Sequence, residues 1–378
     1  MKITKVESLV LRLPNVRDII DGTQDDIVIR IETDEGIVGI GEVDAPPTVV
    51  KAMMEAPLSH SWAKGLEQLL LGENPLNIGY LWEKLYQGSI LYGRRGLTLN
   101  TLSGIDIALW DIAGKHYKTP TYRLLGGRPN NHVTPYSSIH PFAKTPNEVI
   151  EKCRKLVKDQ HFKATKFQCE PIGVDDRKAL EFIKLARDEL GDKIDIMLDA
   201  CMCYDTKGAI KFARQIEQYN IYFLEAALHP DNLDGYAKLS ASTTVRIAAG
   251  EEQTSRFMFI DLMDRGKVDI VQPDVTRAGG LTECKRIADL AADRSILCIP
   301  HCYKTNIGLA ATLHLSAAAS NSPYTEFPQS NSPLKKELTR EDFKVLPDGT
   351  IELPETLGLG VTLNEDAVTK YLYEKKCP

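Results

Sequence analysis

Five polar residues stand at matching places along the chain. Asp199, Glu225 and Glu251 each end a short apolar run (Ile194–Asp199, Tyr222–Glu225, Ile247–Glu251), at equal intervals of 26 residues. Asp274 and His301 end the next two runs, Ile270–Asp274 and Ile296–His301. Three carboxylates gathered in one place repel one another unless a cation sits among them. With neither thiolate nor imidazole in the trio, the ligands are all oxygen and suit a hard ion, Mg2+ or Mn2+. An aspartate that accepts the Nδ1 proton of a histidine orients the ring and raises its basicity. Lys166, ending an earlier run, adds a cation that either binds a carboxylate or acts as a base. Together these groups suit removal of a proton next to a carboxylate, with metal and lysine neutralising the enediolate as it forms.

For the five to meet, the runs must be strands that end on one face. Candidate strands are His132–Ser138, Ala164–Gln168, Ile194–Asp199, Tyr222–Glu225, Arg246–Glu251, Ile270–Asp274, Ile296–His301 and Tyr324–Glu326. Helical stretches alternate with them. After the second, Leu180, Ile183, Ala186 and Leu190 share a face, and Gly191 stops the helix. Eight strands in this rhythm predict an α/β fold, a (β/α)8-type barrel with its site at the C-terminal ends. A doubly wound sheet is the alternative, but its glycine-rich phosphate turn is missing.

The first 130 residues differ. Residues 3–12 and 26–43 read as strands, the latter folded at Thr33-Asp34-Glu35-Gly36 into a hairpin. Asn15–Gln24 reads as a loop, Ala45-Pro46-Pro47 begins another, and about 62–118 is helical. The expected organisation is an α+β domain over 1–130, a barrel over 131–326, and a segment 327–378 packing back on the first domain. A net charge of −6 offers no footprint for nucleic acid or anionic lipid, and no run is long and apolar enough to cross a membrane. Eight scattered cysteines form no disulfide framework, so reduced thiols in the cytoplasm are expected. Cys201 and Cys203 lack the second close pair that a zinc site requires.

At this point the sequence resembles the enolase superfamily, in its mandelate-racemase-like subgroup. Ile105-Asp106-Ile107-Ala108-Leu109-Trp110-Asp111 and Leu124-Leu125-Gly126-Gly127 look like that family's capping domain leading into the barrel. The resemblance implies that Asp199, Glu225 and Glu251 are the metal ligands, with Glu251 rather than Glu252 the third. It also implies one Mg2+ per subunit, replaceable by Mn2+. Asp274 and His301 become the dyad, Glu326 the last-strand acid that hydrogen-bonds the enediolate oxygen, and Lys166 the contact for the substrate carboxylate. One departure matters. Racemases of the subgroup carry Lys-x-Lys on the second strand, whereas this chain reads Lys166-Phe167-Gln168. Glutamine takes no proton, so the face opposite His301 lacks a clear base.

Inverting a stereocentre through an enediolate needs a base on each face. A β-elimination needs one base and an acid for the departing hydroxyl, and protonated His301 serves as that acid. The expected activity is therefore dehydration of a sugar acid, aldonate or aldarate, to a 2-keto-3-deoxy acid. A racemase or epimerase using Lys166 or Tyr92 as second base is the alternative. A cycloisomerase, resembling a lysine-pair chemistry, ranks lower, as does a non-catalytic sugar-acid binder. Candidate substrate contacts are Gln168, loop residues Arg17, Asp21 and Gln24, then Tyr92, Arg94, Tyr303 and the adjacent Lys304. The resemblance further implies a homo-oligomer, dimer to octamer.

Overall fold

A computed structural model describes residues 1–19, 21–127, 131–139, 145–168, 172–353 and 355–373. The expected boundary near residue 130 lies outside these residues, as does part of the Asn15–Gln24 loop. Eight parallel strands form one rolled sheet: Pro135–Ile139, Ala164–Phe167, Asp195–Asp199, Ile221–Glu225, Arg246–Ala249, Ile270–Val271, Leu297–Cys298 and Thr325–Pro328. They are called the first to eighth strands below. The first seven pair in sequence order, and the eighth pairs with the first through Thr325↔Pro135 and Glu326↔Tyr136. No ladder joins the seventh and eighth among the described residues. That seam is bridged by the Cys298 N–H on the Asn321 carbonyl and the Cys302 N–H on Glu326 Oε2.

Side chains alternate across a strand with period two, and this places the chemistry. Tyr136, Ala164, Met197, Phe223, Ala248 and Ile270, one from each of the first six strands, and Ile299, just past the seventh, form a buried apolar plug inside the barrel. Tyr324 of the last turn packs against it. Two residues further along each chain path stand Ser138, Lys166, Asp199, Glu225, Gly250, Gln272, His301 and Glu326. A ring of polar groups therefore caps a dry plug. The outward-facing apolar residues pack against the surrounding helices as the main core.

The N-terminal region is a three-stranded antiparallel sheet, Ile3–Arg12, Asp25–Thr33 and Val38–Val43. The buried helix Leu97–His116 lies across it. Contact is close because Gly39 and Gly41 face it: a Cβ on Gly41 would stand 1.9 Å from the Gly104 carbonyl oxygen. The span expected to be helical from 62 to 118 is three helices, Glu67–Leu70, Ile78–Gly88 and Leu97–His116. The stretch beginning Ala45-Pro46-Pro47 is a correction. It enters a helix, Pro47–Glu55, because proline suits a first turn whose N–H has no partner, and Val50, Met53 and Met54 then reach the core.

This region is bolted to the barrel beside the sixth strand. Ser103 Oγ accepts from the N–H groups of Gly279 and Gly280, and Asp106 accepts from Thr282. The end of the chain joins both parts. Ile351–Glu352 pairs antiparallel with His132–Val133, which is thus split from the first barrel strand at Thr134. Leu372 bridges Leu11, and Glu365 pairs with Arg30.

His314, in the buried helix Asn306–Ala318, holds a second junction. Its Nδ1 accepts the Tyr122 N–H at 3.1 Å, and its Nε2 faces the Leu359 carbonyl at the same distance. Burial pushes its pKa down to about 4 from 6.5. A group held neutral this way contributes stability above pH 6.5 and loses it as pH falls towards 4. The loss should reach about 3 kcal/mol. Thermal unfolding of the wild type and His314→Gln between pH 7 and 4 checks this. The wild-type advantage should vanish at the acid end, and parallel curves would refute the assignment.

Candidate active site

At the C-terminal mouth of the barrel the ring residues bind one another. Asp199 and Glu225 are direct partners in the ladder of the third and fourth strands. The Lys166 ammonium lies 2.5 Å from Glu225 Oε1 and 2.9 Å from Glu326 Oε1, with all three side chains buried. Gln272 Nε2 donates to Glu225 Oε2 at 2.7 Å. Asp199 Oδ1 accepts the Cys201 N–H at 2.9 Å. The chain turns sharply here, with Cys201, Met202 and Ala226 at φ of 43°, 61° and 45°. Such left-handed backbone in non-glycine residues gathers at functional sites.

Glu251 arrives differently. Gly250 occupies the ring position of the fifth strand at φ 134°, where a Cβ would meet Phe259 at 2.7 Å. The carboxylate comes from the next residue, with its Oε2 3.0 Å from His301 Nε2. The other nitrogen, Nδ1, lies 2.6 Å from Asp274 Oδ2. Asp274 is itself fixed, its Oδ1 accepting both the N–H and the hydroxyl of Thr276 at 2.7 and 2.6 Å.

The charges are far from balanced. Five carboxylates (Asp199, Glu225, Glu251, Asp274, Glu326) meet Lys166, the His301 imidazole and Arg277. Arg277 is shared with Asp44, the residue just past the N-terminal sheet's third strand, at 2.7 Å. Burial and its carboxylate neighbours raise the Glu225 pKa to about 8 against the pull of Lys166. Burial of His301 would lower its pKa, but Glu251 and Glu326 outweigh it and hold the ring charged. Burial opposes ionisation of Glu326, yet Lys166 and His301 hold it down to about 2. Lys166 is raised well above its ordinary value because Glu225 and Glu326 outweigh its burial.

The donor chemistry fits a hard divalent cation: buried oxygen ligands, excess negative charge, consecutive strand ends. Among the described residues, no three His, Cys, Asp or Glu side chains are arranged as they stand to hold one. Glu225 is turned to Lys166 and Gln272, and Glu251 to His301. Binding a cation here therefore requires these pairs to open.

The loop candidates divide. Tyr303 is buried, and its pKa is raised by burial, then by the charges of Asp21 and Glu326. Asp21 accepts from Thr23 and faces Ser330. Gln24 is spent on the loop, its amide pairing with both backbone groups of Arg17, whose side chain is exposed. Lys304 is likewise engaged, donating to the carbonyls of Gly22 and Asp25 and pairing with Asp26. Tyr92 packs against the N-terminal core, and Arg94 is exposed, with no hydrogen bond or ion pair among the described residues. Loop closure uses the Gln24 amide and core packing uses Tyr92, whereas the Arg17 and Arg94 side chains point to solvent, and none of the four makes a contact with a ring residue among the described residues. Gln168 follows the second strand and is half-buried.

Gln272, Arg277 and Asp44 are functional neighbours that sequence reasoning misses. Gln272 carries a signal, since a polar side chain inside the run Ile270–Asp274 sits two residues beyond a plug residue.

Residues 148–367 match the family model described as Enolase C-terminal domain-like. Residues 19–126 match the model of the mandelate racemase / muconate lactonizing enzyme N-terminal domain. The D-galactonate dehydratase of Pectobacterium atrosepticum is 33% identical over 354 residues, covering 90% of this chain and 89% of that protein. The D-galactarolactone cycloisomerase of Agrobacterium fabrum is 31% identical over 355 residues, covering 91% and 90%. Among solved structures, the 3,6-anhydro-D-galactonate cycloisomerase from Zobellia galactanivorans superposes with a TM-score of 0.87 at 33% identity, covering 99% of this chain and all of that one.

Proposed function

The chain belongs to the enolase superfamily, with a mandelate racemase-like organisation, and on that premise we propose that it is a metal-dependent hydro-lyase. It dehydrates a sugar acid, aldonate or aldarate, to a 2-keto-3-deoxy acid. The observation that carries the reading is a single proton-transfer dyad, His301–Asp274, facing a second strand that offers no second base. Gln168 cannot take a proton, Lys166 is locked as an ammonium between two carboxylates, and Tyr92 packs elsewhere.

Asp199, Glu225 and Glu251 would hold one Mg2+ per subunit, with Mn2+ as substitute, and the bound ion would supply electrostatic stabilisation of the enediolate. His301 becomes a base at Nε2 only when Glu251 no longer holds its proton there. It then takes the proton from C2, while Asp274 stabilises the imidazolium through Nδ1. Lys166 meets the substrate carboxylate and its growing charge. The imidazolium returns the proton to the C3 hydroxyl as the C3–O bond breaks. Water leaves, and the resulting enol becomes the 2-keto acid. Glu326 is ionised in the free protein and can only accept. To donate to the enediolate oxygen it must gain a proton when the substrate carboxylate competes for Lys166.

A second reading is favoured by two of the similar proteins, which are named as cycloisomerases. If the oxygen on the β carbon belongs to a ring, the same elimination opens the ring and expels no water. A lysine pair is unnecessary for that chemistry. The reading also includes a homo-oligomeric, cytoplasmic enzyme with a 1–130 capping domain, a 131–326 barrel and a returning 327–378 segment. It is supported by the family premise.

The test is a screen of purified protein plus Mg2+ against mono- and diacid sugars, their lactones and anhydro forms, with semicarbazide trapping 2-keto product. A keto product from an open-chain acid is expected. Exchange of C2 hydrogen for solvent deuterium without keto product would overturn the lyase reading and favour an epimerase.

A further inference from the structure

Beside helix Pro146–Gln160 lies a cleft of about 630 Å3, closed on its other side by the segment that follows the eighth strand. None of the ring carboxylates or dyad residues lines it. Among the described residues five lysines do: Lys152, Lys155, Lys335, Lys336 and Lys344. Of the lining residues only Asp159 and Asp342 carry the opposite charge, and Lys155 also pairs with Glu151 at 3.6 Å, in a chain whose net charge is −6.

Lys335 is the unusual member. It is 7% exposed and makes no hydrogen bond or ion pair among the described residues, its ammonium lying 5.2 Å from the centre of the Phe327 ring. The cation–π contact and the nearby charge of Asp342 offset only part of the cost of burying this ammonium, and burial lowers its pKa. A second donor nearby is also unmet, since Gln329 Nε2 is buried without a partner. Unmet buried donors of this kind ask for an acceptor. Phe327 and Phe343 line the same cleft and add an apolar wall.

We propose that this cleft binds a small organic dianion, a phosphate ester or a dicarboxylate, whose anionic end pairs with Lys335 and the Gln329 amide. Its carbon skeleton lies against Phe327 and Phe343. The wall it touches continues to the loop over the barrel mouth: Ser330 Oγ is 2.8 Å from Thr23 Oγ1, and Ser332 Oγ donates to the Thr23 carbonyl at 2.6 Å.

The test is calorimetry and thermal shift on the full chain after metal removal, with glucose 6-phosphate, succinate and inorganic phosphate as probes at constant ionic strength. Saturable binding of an organic probe, with Kd below about 1 mM and a raised Tm, is expected. Tighter binding of the sugar phosphate or of succinate decides between phosphate ester and dicarboxylate. Lys335→Met should weaken it about tenfold or more. If that variant folds poorly, the exposed pair Lys336→Ser and Lys344→Ser carries the comparison, with a smaller loss expected. No binding of any probe up to about 10 mM overturns the proposal. Binding indifferent to these substitutions overturns it too, by placing the anion outside this cleft.

Discussion

His301→Asn should lower kcat by about three to four orders of magnitude on any substrate the chain turns over, with little change in fold. The asparagine amide still offers an N–H towards Asp274, which Thr276 holds in place. What is lost is the nitrogen that moves the proton. Near-ultraviolet circular dichroism should match the wild type, and single-turnover kinetics should show the chemical step slowed. Residual kcat within tenfold of wild type would remove His301 from the mechanism.

Glu225→Gln should weaken divalent-metal binding by about a hundredfold or more and lower kcat/KM at least as far. Among the described residues, Glu225 is the only one of the three proposed ligands that accepts from two side-chain donors at once, Lys166 and Gln272. An amide keeps one acceptor oxygen but turns an NH2 towards donors, and it removes the charge that a hard cation requires. Metal titration by calorimetry reads the first effect without any substrate. An unchanged titration would show that the cation is held elsewhere.

Much of the ring is legible in the amino-acid sequence. Asp199, Glu225, His301 and Glu326 announce themselves because each stands two residues beyond a plug residue on a period-two strand. Glu251 does not obey that count. Its equal spacing from the other acids is what marks it, and Gly250 supplies the physical reason for the offset. The loop residues are harder to read. Gln24 and Lys304 look like free polar side chains in the sequence, yet both are consumed by backbone groups that the loop Asn15–Gln24 leaves unpaired. Such local demand depends on how the chain closes on itself, which composition does not record. Arg277 and Asp44 lie 233 residues apart, and no short-range pattern could join them.

The bridge between Leu11 and Leu372 also sets a timetable. The two residues are 361 positions apart (372 − 11). At about 5–20 residues per second, a ribosome needs roughly 20–70 s to deliver the second after the first. During most of that interval this strand is already outside the exit tunnel, and its backbone edge at Leu11 awaits a partner not yet synthesised. The barrel must therefore grow while its cover stands unfinished, and a nascent-chain chaperone that shields this edge would have its longest task on this early strand.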